Sequence, residues 1–262
     1  MPIEPWSRRR LLSVGAGLLA SALVLVGGLA YGLMRLLAPA GVERVDQEIV
    51  TPVVGLSRDQ IAAAPMASVA PAESRPGARM ATVRPANLVV PEARSVGAQR
   101  VPTGFPRTPV GAVGQLGALL ETVLERMDVE HTASVYTAWS APDAPPVEDW
   151  PVMASVRTFL ESARLGRLEP GQTVQVTPVG ALVKGSDGPD WTLACVLVTA
   201  RAWVKSEARI SYGNCARMVW FPGQQRWVIG PGPFPARAPH TWPGSEAMRV
   251  SGWRTWESGP PR

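Results

Sequence analysis

The sequence is poor in the residues that usually announce chemistry. It has two cysteines and two histidines, too few for a zinc ribbon or a Cys/His cluster, whose metal takes four ligands. There is no Gly-x-Ser-x-Gly nucleophile turn, no phosphate-binding Gly-x-x-x-x-Gly-Lys and no dinucleotide fingerprint. Carboxylates such as Glu121, Asp128, Asp143 and Asp149 are dispersed, with no spacing that announces an acid–base pair. His131 falls on a predicted helix and His240 in a Pro-rich stretch, neither with an orienting partner nearby in sequence. These absences point to a protein that is not an enzyme and takes no cofactor or metal. Asp187-Gly188-Pro189-Asp190 offers two carboxylates and a proline where a calcium loop needs about six oxygen ligands, so it reads as a turn.

Charge is also scarce, at 18% of residues against about 25% in a typical soluble protein. The net +5 is concentrated at the N-terminus: residues 1–101 hold 11 Lys+Arg against 7 Asp+Glu, and residues 102–262 hold 15 against 14. A nucleic-acid-binding domain carries a concentrated positive face. The near-neutral C-terminal part has none, and no direct nucleic acid binding is expected.

What the chain does have is one long apolar run. Leu11–Met34 carries no charge and is closed by Arg10 and Arg35. As a helix it reaches about 36 Å, more than the ~30 Å hydrocarbon core. Trp6 and Tyr31 stand near its two ends, where amphipathic rings prefer the interface. Arg8, Arg9 and Arg10 precede it, which keeps residues 1–10 in the cytoplasm and puts the chain after residue 35 outside. The expectation is a single-pass cell-membrane protein whose residues 11–34 meet the lipid. Ser7-Arg8-Arg9-Arg10-Leu11-Leu12 also looks like a twin-arginine export signal, with Ala38-Pro39-Ala40 as a cleavage site. An export h-region is usually 7–15 residues, which favours the retained anchor. Either way the remainder is extracytoplasmic.

Residues 35–101 read as a disordered Pro/Ala-rich linker. Proline recurs at 39, 52, 65, 71, 76, 85 and 91, and no apolar period persists, so little surface could be buried to offset ordering entropy. A flexible coil of this length separates its ends by roughly 45 Å. Within it, Asn87-Leu88-Val89-Val90 could add as a strand to a partner.

Residues 102–256 read as one folded domain. Thr108-Pro109 is a hydroxyl cap followed by proline at the first helical position. Val113, Leu116, Leu120, Leu124 and Met127 then follow helical spacing. Gly111, Gly114 and Gly117 recur every third residue; a glycine inside a helix costs about 1 kcal/mol, so another backbone could approach closely there. A second helix is predicted over 129–139 and a third from about Pro151 to Arg164, before Gly166. Strand patterns follow: Thr173–Thr177, Ala181–Lys184, Trp191–Trp203, Ala208–Phe221 and Gln225–Gly230, then a short helix near Ser245–Val250 and the aromatic pair Trp253 and Trp256. Helices then a strand meander describe an α+β fold: three helices on a curved antiparallel sheet of four to five strands. Residues 257–262 read as a disordered tail.

Cys195 and Cys215 lie on consecutive predicted strands. If they face each other, Trp203 pairs with Glu207 across the three-residue loop Val204-Lys205-Ser206. In an oxidising compartment the pair would form a cross-strand disulfide, worth about 3 kcal/mol in the chain-entropy model. Two free, buried thiols are the alternative.

A set of residues also carries a family resemblance. Gly104-Phe105-Pro106-Arg107-Thr108 with Gly111-Ala112-Val113, Asp187-Gly188-Pro189-Asp190-Trp191, Cys195 with Cys215, Trp242-Pro243-Gly244-Ser245 and Gly252-Trp253-Arg254-Thr255-Trp256 together resemble single-span membrane proteins of conjugative plasmids and integrative elements in high-GC Gram-positive bacteria. The resemblance covers about residues 102–256. In layout these are similar to NTF2-like assembly subunits of conjugation channels and type IV secretion systems. The resemblance implies a cone of helices over a curved sheet, no catalytic residues, self-association, and contact with other transfer-channel subunits. Gly111, Gly114, Gly117, Trp253 and Trp256 are the candidate interaction residues. The alternative is an extracytoplasmic ligand-binding protein with an NTF2-like pocket, of the kind that accompanies lipid import.

Overall fold

The computed structural model describes residues 56–259. The expected membrane segment 11–34 and its cytoplasmic flank lie outside them. Among the described residues no helix is long and apolar enough to cross a membrane.

The strand patterns build a six-stranded sheet in the order β1-β8-β4-β5-β6-β7. Its members are β1 (Asn87–Pro91), β4 (Thr173–Ser186), β5 (Trp191–Trp203), β6 (Glu207–Phe221), β7 (Arg226–Ile229) and β8 (Arg254–Gly259). β4 to β7 form the antiparallel meander. The β5–β6 register places Cys195 opposite Cys215 and Trp203 opposite Glu207, as the loop length required. β4 is one strand rather than two pieces. Its register slips between Pro178 and Gly180 and again between Val183 and Gly185, and such bulges bend a strand and raise its twist without ending it.

Three helices cover one face of the sheet: α2 (Pro109–Arg126), α3 (Val129–Trp139) and α4 (Pro151–Ala163). Thr108 caps α2 by accepting from the Gly111 amide, and Asp128 caps α3 by accepting from His131 N. Alternation along the strands sorts the sheet into two faces. Ala194, Val196, Val198, Ala216 and Met218 join the helices in the main core. Cys195, Leu197 and Cys215 point the other way, toward Met248 and Trp253.

That second face is covered too, and the cover corrects the expected linker boundary. Of the stretch expected to be a linker, the described part, residues 56–101, belongs to the fold. It supplies α1 (Arg58–Ala63), a 3-10 turn at Pro71–Ser74, strand β1, and β2 (Ser95–Val96), which pairs with β3 (Pro102–Thr103). Ser57 caps α1 through a reciprocal capping box with Gln60. Ile61 and Ala62 then pack on Trp191 and Leu193. The Lys184 ammonium, at the second bulge, donates to the carbonyls of Ala62 and Ala64 at the C-terminal end of α1. The strand-like run Asn87–Val90 does add to a sheet, but to its own: β1 pairs in parallel with β8. β8 itself runs to Gly259, so the expected tail at 257–262 begins no earlier than residue 260. The sheet therefore has six strands rather than four to five, is antiparallel-rich rather than wholly antiparallel, and is coated on both faces.

Arg217 ties the outer coat down. It is buried on β6, its Nε donates to the Pro233 carbonyl at 2.8 Å, and its guanidinium pairs with Asp59 of α1 at 2.8 Å. One side chain thus joins the chain before β1 and the chain after β7 to strand β6.

Candidate functional site

The predicted interaction residues are filled by their own chain. Gly111 lies under the Pro106 carbonyl, Gly114 under the Phe105 ring and Gly117 under the Trp256 ring. The backbone approach expected at the three glycines is found at Gly111 alone; Gly114 and Gly117 are met by aromatic side chains, and all three contacts come from the same chain. Trp253 is 2% exposed, and its Nε1 donates to the Pro239 carbonyl. Trp256 is half-buried against α2. Of the five, Gly111, Gly114, Gly117 and Trp253 are buried, and Trp256 keeps part of its surface exposed.

Cys195 and Cys215 are joined as a disulfide, with Cα atoms 4.0 Å apart. That short separation is the non-hydrogen-bonded kind of antiparallel pair, in which side chains stand closest. Among the described residues no cysteine is free. The bridge joins the neighbouring strands β5 and β6 on the face away from the helices, beneath residues 238–253.

The space of chemical interest borders the bridge at Cys215, where α4, β6 and the Pro-rich segment 235–240 meet. An open groove of about 590 Å³ runs between them. It leads to an inner pocket of about 150 Å³ under the end of α2, and Val152, Ser155, Phe159, Tyr212 and Asn214 line both. The pocket is walled largely by carbon, with Leu124, Met127, Val174 and Ile210 among its residues. Three alanines on neighbouring strands, Ala200, Ala202 and Ala208, leave the volume open. Larger side chains at these positions would close it, since interiors otherwise pack to crystal-like density.

At the groove rim the Gly213 amide donates to His240 Nδ1 at 2.9 Å. Burial, and secondarily the nearby Arg237 charge, push the His240 pKa down. The imidazole is therefore neutral near pH 7, with Nδ1 as acceptor and its proton on Nε2. Tyr212 meets the ring edge-on, centroids 5.4 Å apart. Arg237 is exposed beside it. Among the described residues no carboxylate lines the groove or the pocket.

His131 is in a different place. It lies on a shallow surface groove with Glu121, Glu125 and Arg126, its pKa lowered by burial first and by Arg126 second. Burial, then the Glu125 charge, push the Glu121 carboxyl up to about 7. Asp187 and Asp190, at the hairpin turn, pair with Arg58 and Arg107. Among the described residues no three His, Cys, Asp or Glu side chains are grouped to hold a metal ion. Sequence reasoning missed the pocket because α4, β6 and the 235–240 segment are far apart along the chain. The one local sign was the small residue at 200, 202 and 208 where strand neighbours are large. Comparison with protein-family models, with curated proteins and with solved structures finds no match for this chain.

Proposed function

We propose that this chain is a non-enzymatic, membrane-anchored assembly subunit of a conjugative transfer apparatus, working outside the cytoplasm. The observation that carries the reading is the Cys195–Cys215 bridge between β5 and β6. Structural disulfides persist in oxidising compartments, which agrees with a chain that crosses the membrane at Leu11–Met34 and folds beyond it. An antiparallel-rich curled sheet under three helices is compatible with an NTF2-like domain, the unit that the resemblance implies. Membrane lipid would meet residues 11–34, and other copies and channel subunits would meet the outer domain.

The contact surface in this reading is the edge of the sheet at β1. Its outer side is unpaired among the described residues, and Val89 is 48% exposed. An open strand edge is a ready template for another chain. Photocrosslinking from Val89 in cells tests this: the reading predicts crosslinks to a second copy or another membrane protein. Monomers alone, with no channel partner, contradict it.

A second reading, an extracytoplasmic ligand-binding protein with an NTF2-like pocket, is favoured by the apolar pocket behind the groove. The discriminator is whether that space is used.

A further inference from the structure

The groove and pocket divide one space into two chemistries. The inner 150 Å³ is bounded by Leu124, Phe159, Val174, Ile210 and the strand alanines. A dry apolar cavity of about that size admits a six-carbon ring, so the end of a hydrocarbon chain fits. The outer part has only donors and neutral groups on its charged side: Arg237 supplies a guanidinium, and His240, with Nδ1 occupied by the Gly213 amide, offers Nε2–H. Among the described residues no acidic side chain lines either part, so an anion entering the groove meets cationic and donor groups without repulsion from a described lining carboxylate. Tyr212 and Asn214 add a hydroxyl and an amide at the neck between the two.

We propose that this space binds an anionic amphiphile, with about six carbons of a hydrocarbon chain in the pocket behind Phe159 and Tyr212 and a carboxylate or phosphate head at Arg237 and His240. The inference rests on the second reading of function, and it names the ligand class that reading lacks. An anchored domain would meet such molecules at the membrane surface.

The test uses the full-length protein in phosphatidylcholine nanodiscs, titrated calorimetrically with octanoate, octyl phosphate and uncharged octan-1-ol against empty discs. At least one anionic probe should bind about tenfold more tightly than octan-1-ol, the scale of one charge-assisted contact. Preference between octanoate and octyl phosphate identifies the head group. Arg237→Gln, on the exposed rim, should remove that preference, and Ala202→Phe should abolish binding by filling the pocket. The proposal is overturned if no probe binds above the empty discs, if octan-1-ol binds as tightly as both anions, or if a folded Ala202→Phe protein keeps its affinity. If octan-1-ol binds as tightly as both anions, this inference fails while the ligand-binding reading stands; if no probe binds, both fail, and intact Val89 crosslinks leave the assembly reading standing.

Discussion

The Pro106 carbonyl sits directly over Gly111: a Cβ at that glycine would stand 2.0 Å from the oxygen. The oxygen cannot retreat easily, because it accepts from both the Thr108 amide and Trp227 Nε1, each at 2.8 Å. Gly117 differs. There the nearest obstacle is the rim of the Trp256 indole at 2.8 Å, a half-buried ring that can tilt. In both cases alanine would raise helix propensity by about 1 kcal/mol. Gly111→Ala should nonetheless lose about 2–3 kcal/mol through overpacking, and Gly117→Ala less than about 1 kcal/mol. Urea unfolding followed by tryptophan fluorescence measures the difference. Equal losses at both sites would remove the distinction between a pinned carbonyl and a movable ring.

Reduction of the Cys195–Cys215 bridge, which spans a sequence separation of 20, should lower stability by about 3 kcal/mol. Replacing both cysteines by alanine should cost a similar amount. Native protein alkylated without reductant should show neither thiol modified by mass spectrometry.

Arg217→Ala should loosen the coat on the outer face. It removes the contact to the Pro233 carbonyl and the pairing with Asp59, a loss of about 1–3 kcal/mol. Asp59→Ala should cost less than about 1 kcal/mol, since its carboxylate is 74% exposed. Limited proteolysis of Arg217→Ala should cut first within residues 231–240. A pattern identical to the wild type would show that the coat is held by its apolar contacts instead.

Glu121 sets a pH dependence of defined sign. Its carboxyl is pushed up to about 7 from an ordinary 4.5, by burial first and Glu125 second. The fold therefore favours the protonated form, and the resulting stabilisation is fully present below about 4.5 and lost as pH rises through 7. Glu121→Gln should match the wild type near pH 4.5 and exceed it at pH 8 by up to about 2 kcal/mol, allowing for the half-exposed side chain. Parallel stability curves across that range would contradict the assigned cause.

Much of the architecture was legible where local physics dominates. The Thr108-Pro109 start and the helical period fixed α2, and the spans read over 129–139 and from Pro151 match α3 and α4 within a residue or so. Hairpin arithmetic placed Cys195 opposite Cys215. What escaped was whatever is held only by distant contacts. Ile61, Ala62 and Val90 are isolated anchors between prolines, so no periodicity marks the 56–101 segment as part of the fold. β1 depends on β8, more than 160 residues later by register (Asn87 with Thr255). The glycine spacing signalled a close backbone approach, which holds at Gly111 but gives way to aromatic side chains at Gly114 and Gly117. The pocket was invisible for the same reason: Phe159, Tyr212 and His240 meet only once the sheet has formed.

The proposed placement of the domain outside the cytoplasm ties the anchor, the bridge and the proposed work together. It is tested most directly by paired C-terminal fusions of the full chain to alkaline phosphatase and to a fluorescent protein that matures only in the cytoplasm. The account predicts active phosphatase and a dark fluorescent fusion. Bright fluorescence with inactive phosphatase would contradict it.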